Sequence, residues 1–473
     1  MHNQTHLKPH SMIYSKQLAY LFPFLLLFAT GYGQKILTLK EAVETAVNNY
    51  PSIKAKANYA NASRAAVEQT KREALPNFIL SIQQDYGTIN GQNGPLYGLG
   101  GYGVASSGAA LPSQNWHAGF GGLYLTNVNW DFFAFGRVKE RVKAAQSYTT
   151  RDENDQQQEL FQHQVRTAAA YLNLLAAQRI TRSQQYNLNR ADTIKTVVTA
   201  RAKNGLIAGV DSSQANAEVS NARTALILAK DAEQERANQL AMLMGIQQQD
   251  FVLDSLFINK VPAVFIDTAA TVHPLLQYYK SRIEVSEQQL RYIKTLKYPS
   301  FSLFGVFQTR GSGFSSNYIT DQTAYTHDYL DGIKPTRSNY LLGVGATWNI
   351  TSLSRVKQQE KAQSFVSKGL QEEYNTINLQ LKAQQSLAET KITNAIANYR
   401  EAPVQVKSAS DAYLQKSVLY KNGLTNIIDV TQTLYALNRA ETNRDIAYSN
   451  VWQSLLLKAA SLGDFSLFIN QVK

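Results

Sequence analysis

Two periods run through this chain. In short segments apolar and polar residues alternate, and in long ones apolar residues return every third or fourth position. Phe78, Leu80 and Ile82 alternate with Ser81 and Gln83. Tyr124, Thr126, Val128 and Trp130 alternate with Asn127 and Asn129; Tyr340, Leu342, Val344, Ala346, Trp348 and Ile350 alternate with Gly343, Gly345, Thr347 and Asn349. A period of two predicts strands with one apolar and one polar face. The other pattern predicts very long helices. From Arg137 to Asn204 there is neither glycine nor proline, and Val165, Ala169, Leu172, Ala176 and Ile180 form a narrow stripe of the coiled-coil kind. At about 1.5 Å per residue such a helix runs roughly 100 Å. The second half repeats it from about Arg355 to Lys421, where Pro403 is expected to kink or interrupt it.

These elements come in two sets. A shift of 223 carries Pro51, Pro76 and Phe78 onto Pro274, Pro299 and Phe301. A shift of 218 carries Trp130, Arg137-Val-Lys139, Lys203-Asn-Gly-Leu206, Asp211 and Gly245 onto Trp348, Arg355-Val-Lys357, Lys421-Asn-Gly-Leu424, Asp429 and Gly463. The register predicts two copies of one unit, residues 34–250 and 271–473, joined by a linker over 251–270. Each copy reads helix, strand, long loop, strand, long helix, tight turn, helix. The opening helices are expected from about Leu39 to Leu75 and from about His273 to Lys297, each ended by an X-Pro step. The return helices are expected over Asp211–Gly245 and Asp429–Gly463. The strands are joined by long loops, and residues 87–122 hold 11 of the 26 glycines.

Residues 1–33 read as a signal peptide: Lys16, an apolar core from Leu18 to Ala29, then Gly31-Tyr-Gly33, with Met12 an alternative start. No later stretch is long and apolar enough for a spanning helix, so a membrane crossing falls to the strands. Each copy has only two of them, too few for an independent soluble sheet. Composition narrows the chemistry. The chain has no cysteine, which removes disulfides, thiolate metal sites and cysteine nucleophiles. Three of the seven histidines lie in the first ten residues, and the others show no metal-ligand spacing. No phosphate-binding glycine loop or catalytic chain order stands out, so neither an enzyme nor a cofactor is expected. The formal charge of +12 is scattered, against a nucleic-acid footprint. Four methionines argue against a soft-metal relay.

The duplication, the paired strands, the passage Trp130-Asp-Phe-Phe-Ala-Phe-Gly-Arg137 and the turns at Gly205 and Gly423 resemble the outer-membrane efflux proteins, the TolC-like exit ducts. The resemblance implies a mainly α protein with a membrane β-barrel. Three protomers would each give four strands to one 12-stranded barrel and their long helices to an α-helical tunnel. It implies a homotrimer in the outer membrane with a large periplasmic portion, passing cargo from a periplasmic adaptor and inner-membrane pump to the exterior. At the tips it implies a constriction. Asp211 and Asp429 stand six residues after the turn glycines, where the family often has an acid, and Tyr420 stands three before Gly423. Thr425 replaces a family arginine and Gln432 a second acid, so the arginine-based lock is absent in that form. Gly205, Leu206, Gly423 and Leu424 fall at the adaptor-contacting tips, and Trp130 and Trp348 at the barrel's interfacial girdle. Carboxylates repeated around a three-fold opening would titrate above the usual aspartate value. A duct for secreted polypeptides and a non-transporting periplasmic coiled-coil stalk are the alternatives.

Overall fold

Proline sets where the two 22-residue helices begin. The computed structural model describes residues 36–91, 109–254, 257 and 272–472; the leader, most of the 251–270 linker and most of the glycine-rich loop lie outside them. The expected single helix over Leu39–Leu75 is two helices, α1 (Leu39–Asn49) and α2 (Pro51–Arg72), parted at Tyr50. Tyr50 is extended, at φ −66° and ψ 122°. Pro51 pushes its predecessor out of the helical region, then itself starts α2, where its missing N–H costs nothing. The remaining elements are β1 (Ile36–Leu37) before α1, then β2 (Asn77–Thr88), β3 (Ala118–Phe133), α3 (Arg137–Lys203), α4 (Gly209–Met244), β4 (Val252–Leu253), α5 (Pro274–Thr295), β5 (Ser300–Ser312), α6 (Tyr329–Ile333), β6 (Arg337–Thr347), α7 (Ser352–Lys421), α8 (Ile427–Leu462), α9 (Ser466–Ile469) and a 3-10 turn over Asn470–Val472.

The chain is mainly helical. The order of 22-residue helix, hairpin strands, long helix and 36-residue helix occurs twice, the long helices having 67 and 70 residues. Pro403 does not interrupt α7, which runs on through it. Flanking turns hold the helix on both sides, so the one N–H that proline lacks does not end it.

The chain divides into two compact units. One gathers residues 170–261 and 405–449 with the start of the described chain. Its core lies between α3, α4 and α8, where Leu188, Ala191, Val219, Ala222, Leu226 and Leu434 are buried together. Ala191, Val219 and Ala222 are small or β-branched, which lets α3 and α4 approach closely. Arg190 grips Glu441 with both nitrogens, at 2.6 and 3.1 Å. β1 and β4 pair in parallel, and the buried Tyr171 hydroxyl donates to the Leu37 carbonyl at 2.8 Å. This small sheet is a feature the sequence reading missed.

The other unit gathers residues 46–169, 262–404 and 450–473. Here α2 runs antiparallel to α3, tied by Lys56 to Asp155 at 2.6 Å and Arg64 to Glu153 at 2.6 Å. α5 runs antiparallel to α7, tied by Arg282 to Glu373 at 2.7 Å. The unit's sheet has the order β2-β3-β5-β6, all antiparallel, and leaves β2 and β6 as edges. The rows across it sort by face. One face carries the rows Trp130-Leu303-Val344, Phe78-Val128-Gly305-Leu342 and Leu80-Thr126-Phe307-Tyr340. The other carries Asn77-Asn129-Phe304-Gly343, Ser81-Leu125-Gln308-Asn339 and Gln83-Leu123-Arg310-Arg337. The β5–β6 connection is not open loop throughout: α6 folds back on the apolar face. Gly122 and Gly311 make room for it, because a side chain there would meet the backbone of Ile333 and Lys334.

Candidate functional site

Two regions hold the residues singled out by sequence: the turns joining long and return helices, and the sheet.

At the turns, glycine ends each long helix in the left-handed region, at φ 71° for Gly205 and 76° for Gly423. The amide after each glycine reaches back to a carbonyl of the last helical turn, as a left-handed C-cap requires: Leu206 to Arg201 at 2.9 Å and Leu424 to Leu419 at 2.9 Å. Leu206 and Leu424 are left 67% and 72% exposed, an apolar residue on each tip with nothing over it in the protomer.

The two turns meet around Tyr420. Its ring is buried with Val198, Ala215, Ile427 and Val430, contributed by both copies. The Arg201 guanidinium lies over that ring at 5.4 Å and donates to the carbonyls of Tyr420 at 2.6 Å and Lys421 at 3.3 Å. Burial pushes the Tyr420 phenol up, the Asp211 charge adds to this, and Arg201 opposes it. So Tyr420 shapes the tip from within and brings Asp211 and Arg201 to one place. Gln432 is exposed.

Asp429 has its own partners. Lys416 donates to it at 2.7 Å and Thr425 at 2.7 Å, while the Asn426 side chain accepts from its amide at 2.9 Å, capping α8. The Lys416 and Thr425 hydrogen bonds hold its carboxyl below the usual aspartate range. Within the protomer Lys416 thus opposes the elevation that a ring of carboxylates would bring, and the sequence reading did not include this contact. A depressed pKa means the contact is present above the unfolded value and is lost as pH falls through the folded one. Lys416→Met should therefore move the Asp429 titration up toward the usual range, measured by carboxyl carbon NMR; an unmoved titration would show that the Lys416 contact is not formed in solution.

Sequence reasoning missed Arg201 and Lys416. Arg201 corresponds at the 218 shift to Leu419, so the duplication hid it. Lys416 precedes Asp429 by 13 residues, across a turn, with no local pattern to mark it.

In the sheet unit, the two tryptophans do the same work. Trp130 donates its indole N–H to the Ala74 carbonyl at 2.9 Å, and Trp348 donates to the Lys297 carbonyl at 3.1 Å. Ala74 and Lys297 lie just past the ends of α2 and α5, where helix carbonyls lack partners. Each indole thus ties its strand to the 22-residue helix of the same copy while its ring stays 36% or 54% exposed. Trp348 falls one residue beyond β6, which ends at Thr347 rather than at Ile350. Trp130→Phe with Trp348→Phe should lower unfolding stability by about 1 kcal/mol per lost hydrogen bond, read from urea midpoints; an unchanged midpoint would show that the indole N–H groups contribute nothing. Beyond Trp130, Phe135 at φ 49° and Gly136 at φ 80° turn the chain from β3 into α3.

Among the described residues no helix is long and apolar enough to cross a membrane, and no cluster of metal-ligating side chains is present.

Comparison with known proteins fits this geometry. Residues 42–246 match the family model for outer membrane efflux proteins. Comparison with curated protein sequences gives no match. Among solved structures, CusC superposes with a TM-score of 0.74 at 12% identity, covering 90% of this chain and 92% of its own. VceC from Vibrio cholerae superposes at 0.69 with 16% identity, covering 90% and 96%. The open-state MtrE outer membrane channel of Neisseria gonorrhoeae superposes at 0.68 with 14% identity, covering 90% and 89%. At these identities the likeness is one of fold. Residues 42–246 thus resemble the outer membrane efflux protein family, and over 90% of its length the chain has the fold of these channels.

Proposed function

We propose that this chain is the outer-membrane exit duct of a tripartite export system, assembled as a homotrimer. The observation that carries the reading is the sheet. It is an open, four-stranded sheet with one apolar face, one largely polar face and two unpaired edges. Phe78, Leu80, Tyr340 and Leu342 on the apolar face are 73–79% exposed. A soluble protein would bury such a face or blunt such edges. Four strands cannot close around a passage, since about eight are needed to enclose side chains alone. Three copies joined β6 to β2 would give 12 strands, an apolar outer band and a polar lumen. The stalk alternative leaves the apolar face without a use. A duct for secreted polypeptides uses the same architecture, and the exported cargo distinguishes it.

In this reading the two copies span 34–250 and 271–473 with the 251–270 linker between them. The tips form the periplasmic entrance, where Leu206 and Leu424 meet the adaptor and Asp211, Asp429 and Thr425 border the opening. The mature chain works by passage and performs no catalysis. The mass in mild detergent and the membrane fraction test it: a trimer in the outer membrane is expected, and a soluble periplasmic monomer would overturn it.

The Lys416 contact refines the gate. Asp429→Asn removes one negative charge and leaves Lys416 uncompensated, so the local field changes sign. In planar bilayers under a salt gradient the reversal potential should move toward anion preference. An unmoved potential would place Asp429 away from the ion path and leave helix capping as its role.

A further inference from the structure

The last full row of the polar face sets two arginines against each other. Arg310 of β5 stands opposite Arg337 of β6, in the row that also holds Gln83 and Leu123. Opposed residues in an antiparallel pair have Cβ atoms about 4.5–5.5 Å apart, and like charges placed so destabilise the pair. The strands are nonetheless held firmly there. Thr336 donates to the Arg310 carbonyl through its amide at 2.8 Å and its hydroxyl at 3.2 Å, and Thr309 donates to the Arg337 carbonyl at 3.2 Å. Both arginines are exposed.

No carboxylate among the described residues forms an ion pair with either arginine, and the surrounding chain explains why. Residues 86–130 contain no Asp or Glu at all, so the long β2–β3 connection cannot supply one. In the β5–β6 connection, Asp321 accepts from Thr323 and Asp328 caps α6 by accepting from the Asp331 amide at 3.0 Å. α6 itself lies against the opposite face, where the Tyr124 hydroxyl donates to the Ile333 carbonyl at 3.1 Å. Within the protomer, Asp85 shares the arginines' face but sits on β2, takes the Gln83 amide, and is three strands from Arg337. At about 4.8 Å per strand that is roughly 14 Å, beyond the screening length of about 8 Å at physiological salt.

We infer that Arg310 and Arg337 form a binding site for multiply charged oxyanions of the phosphate kind, carried on cargo passing through the lumen. Two guanidinium forks side by side match such a group with bidentate, charge-assisted hydrogen bonds. A bound oxyanion also removes the repulsion that the opposed pair otherwise carries. The inference rests on the duct reading in one respect: in a trimer the pair repeats three times around the outer mouth.

The test uses the full-length protein and inorganic pyrophosphate. Calorimetric titration of the detergent-purified protein should show binding that weakens by roughly tenfold or more in Arg310→Gln/Arg337→Gln. Arg310→Lys/Arg337→Lys should fall between, keeping charge but losing the forks. In phosphatidylcholine bilayers pyrophosphate should block wild-type conductance and spare the Gln variant. The same difference should hold in phosphatidylglycerol bilayers, since the pair lies on the face that lines the lumen. Equal behaviour of wild type and the Gln variant in calorimetry and in both bilayers would overturn the inference, whether or not the protein conducts. A monomer without conductance would overturn the duct reading instead, and calorimetry would still decide the arginine pair. A trimer melting point that is unchanged or raised in the Gln variant shows that loss of binding is not loss of fold.

Discussion

Leu342→Arg should keep the protein from assembling in the outer membrane. Leu342 lies mid-strand on the apolar face, in the row with Phe78, Val128 and Gly305, and is 77% exposed in the protomer. An arginine at the bilayer midplane of a barrel costs about 2–4 kcal/mol. Repeated in three protomers, that is comparable with the whole stability of a typical domain, about 5–15 kcal/mol. The neighbouring substitution Leu341→Arg is the control. Leu341 points to the opposite face, in the row with Ile79, Asn127 and Val306, and is itself 58% exposed. There an arginine faces water in the proposed lumen, so its effect should stay within about 1 kcal/mol. Quantifying folded trimer in outer-membrane fractions separates the two. Equal accumulation of both variants would show that the two faces are solvated alike, and the membrane assignment of the sheet would fall.

That contrast between neighbouring residues was legible in the sequence, because a strand's period of two needs no partner to be read. Tyr340, Leu342 and Val344 announce one face from their spacing alone. The turns were legible for a similar reason: Gly205 and Gly423 sit where a helix must end in a left-handed residue, and both copies repeat the motif. What crosses between segments was not legible. The Arg310–Arg337 pair depends on the register of β5 against β6, and the 24-residue connection between those strands does not fix it. The β1–β4 pairing joins residues more than 200 positions apart, through two-residue strands too short to show a period. Pro51 and Pro403 show the limit of a single rule. Both are prolines in helical sequence, yet Pro51 starts a helix and Pro403 lies within one. The difference lies in the flanking turns, which packing stabilises and local sequence does not specify.

Arg201→Ala should loosen the helical tip, and Arg201 is the residue whose role duplication concealed. Its guanidinium joins the end of α3 to the end of α7 by hydrogen bonds to the Tyr420 and Lys421 carbonyls. These are the last carbonyls of a 70-residue helix, where the helix dipole places partial negative charge. Thr425 occupies the position of the arginine expected from the family pattern, and Arg201 brings a guanidinium to the same turn from the other copy. A charge-assisted hydrogen bond contributes about 1.5–3 kcal/mol, and the stacking on Tyr420 adds about 0.5–1 kcal/mol. Losing about 2 kcal/mol from the closed arrangement shifts a closed–open balance by roughly thirtyfold. Arg201→Lys keeps the charge but not the planar fork, so it should fall between. Single-channel conductance is the measurement, with open time expected to rise from wild type through Arg201→Lys to Arg201→Ala. Lys416→Met serves as the comparison, since Lys416 and Asp429 join only the two helices of the second-copy turn. If Arg201→Ala conducts like wild type while the Tyr420 phenol titration moves, the guanidinium packs the tip without holding it closed. If both conductance and titration are unchanged, the contact between the two turns is not made in the assembled duct.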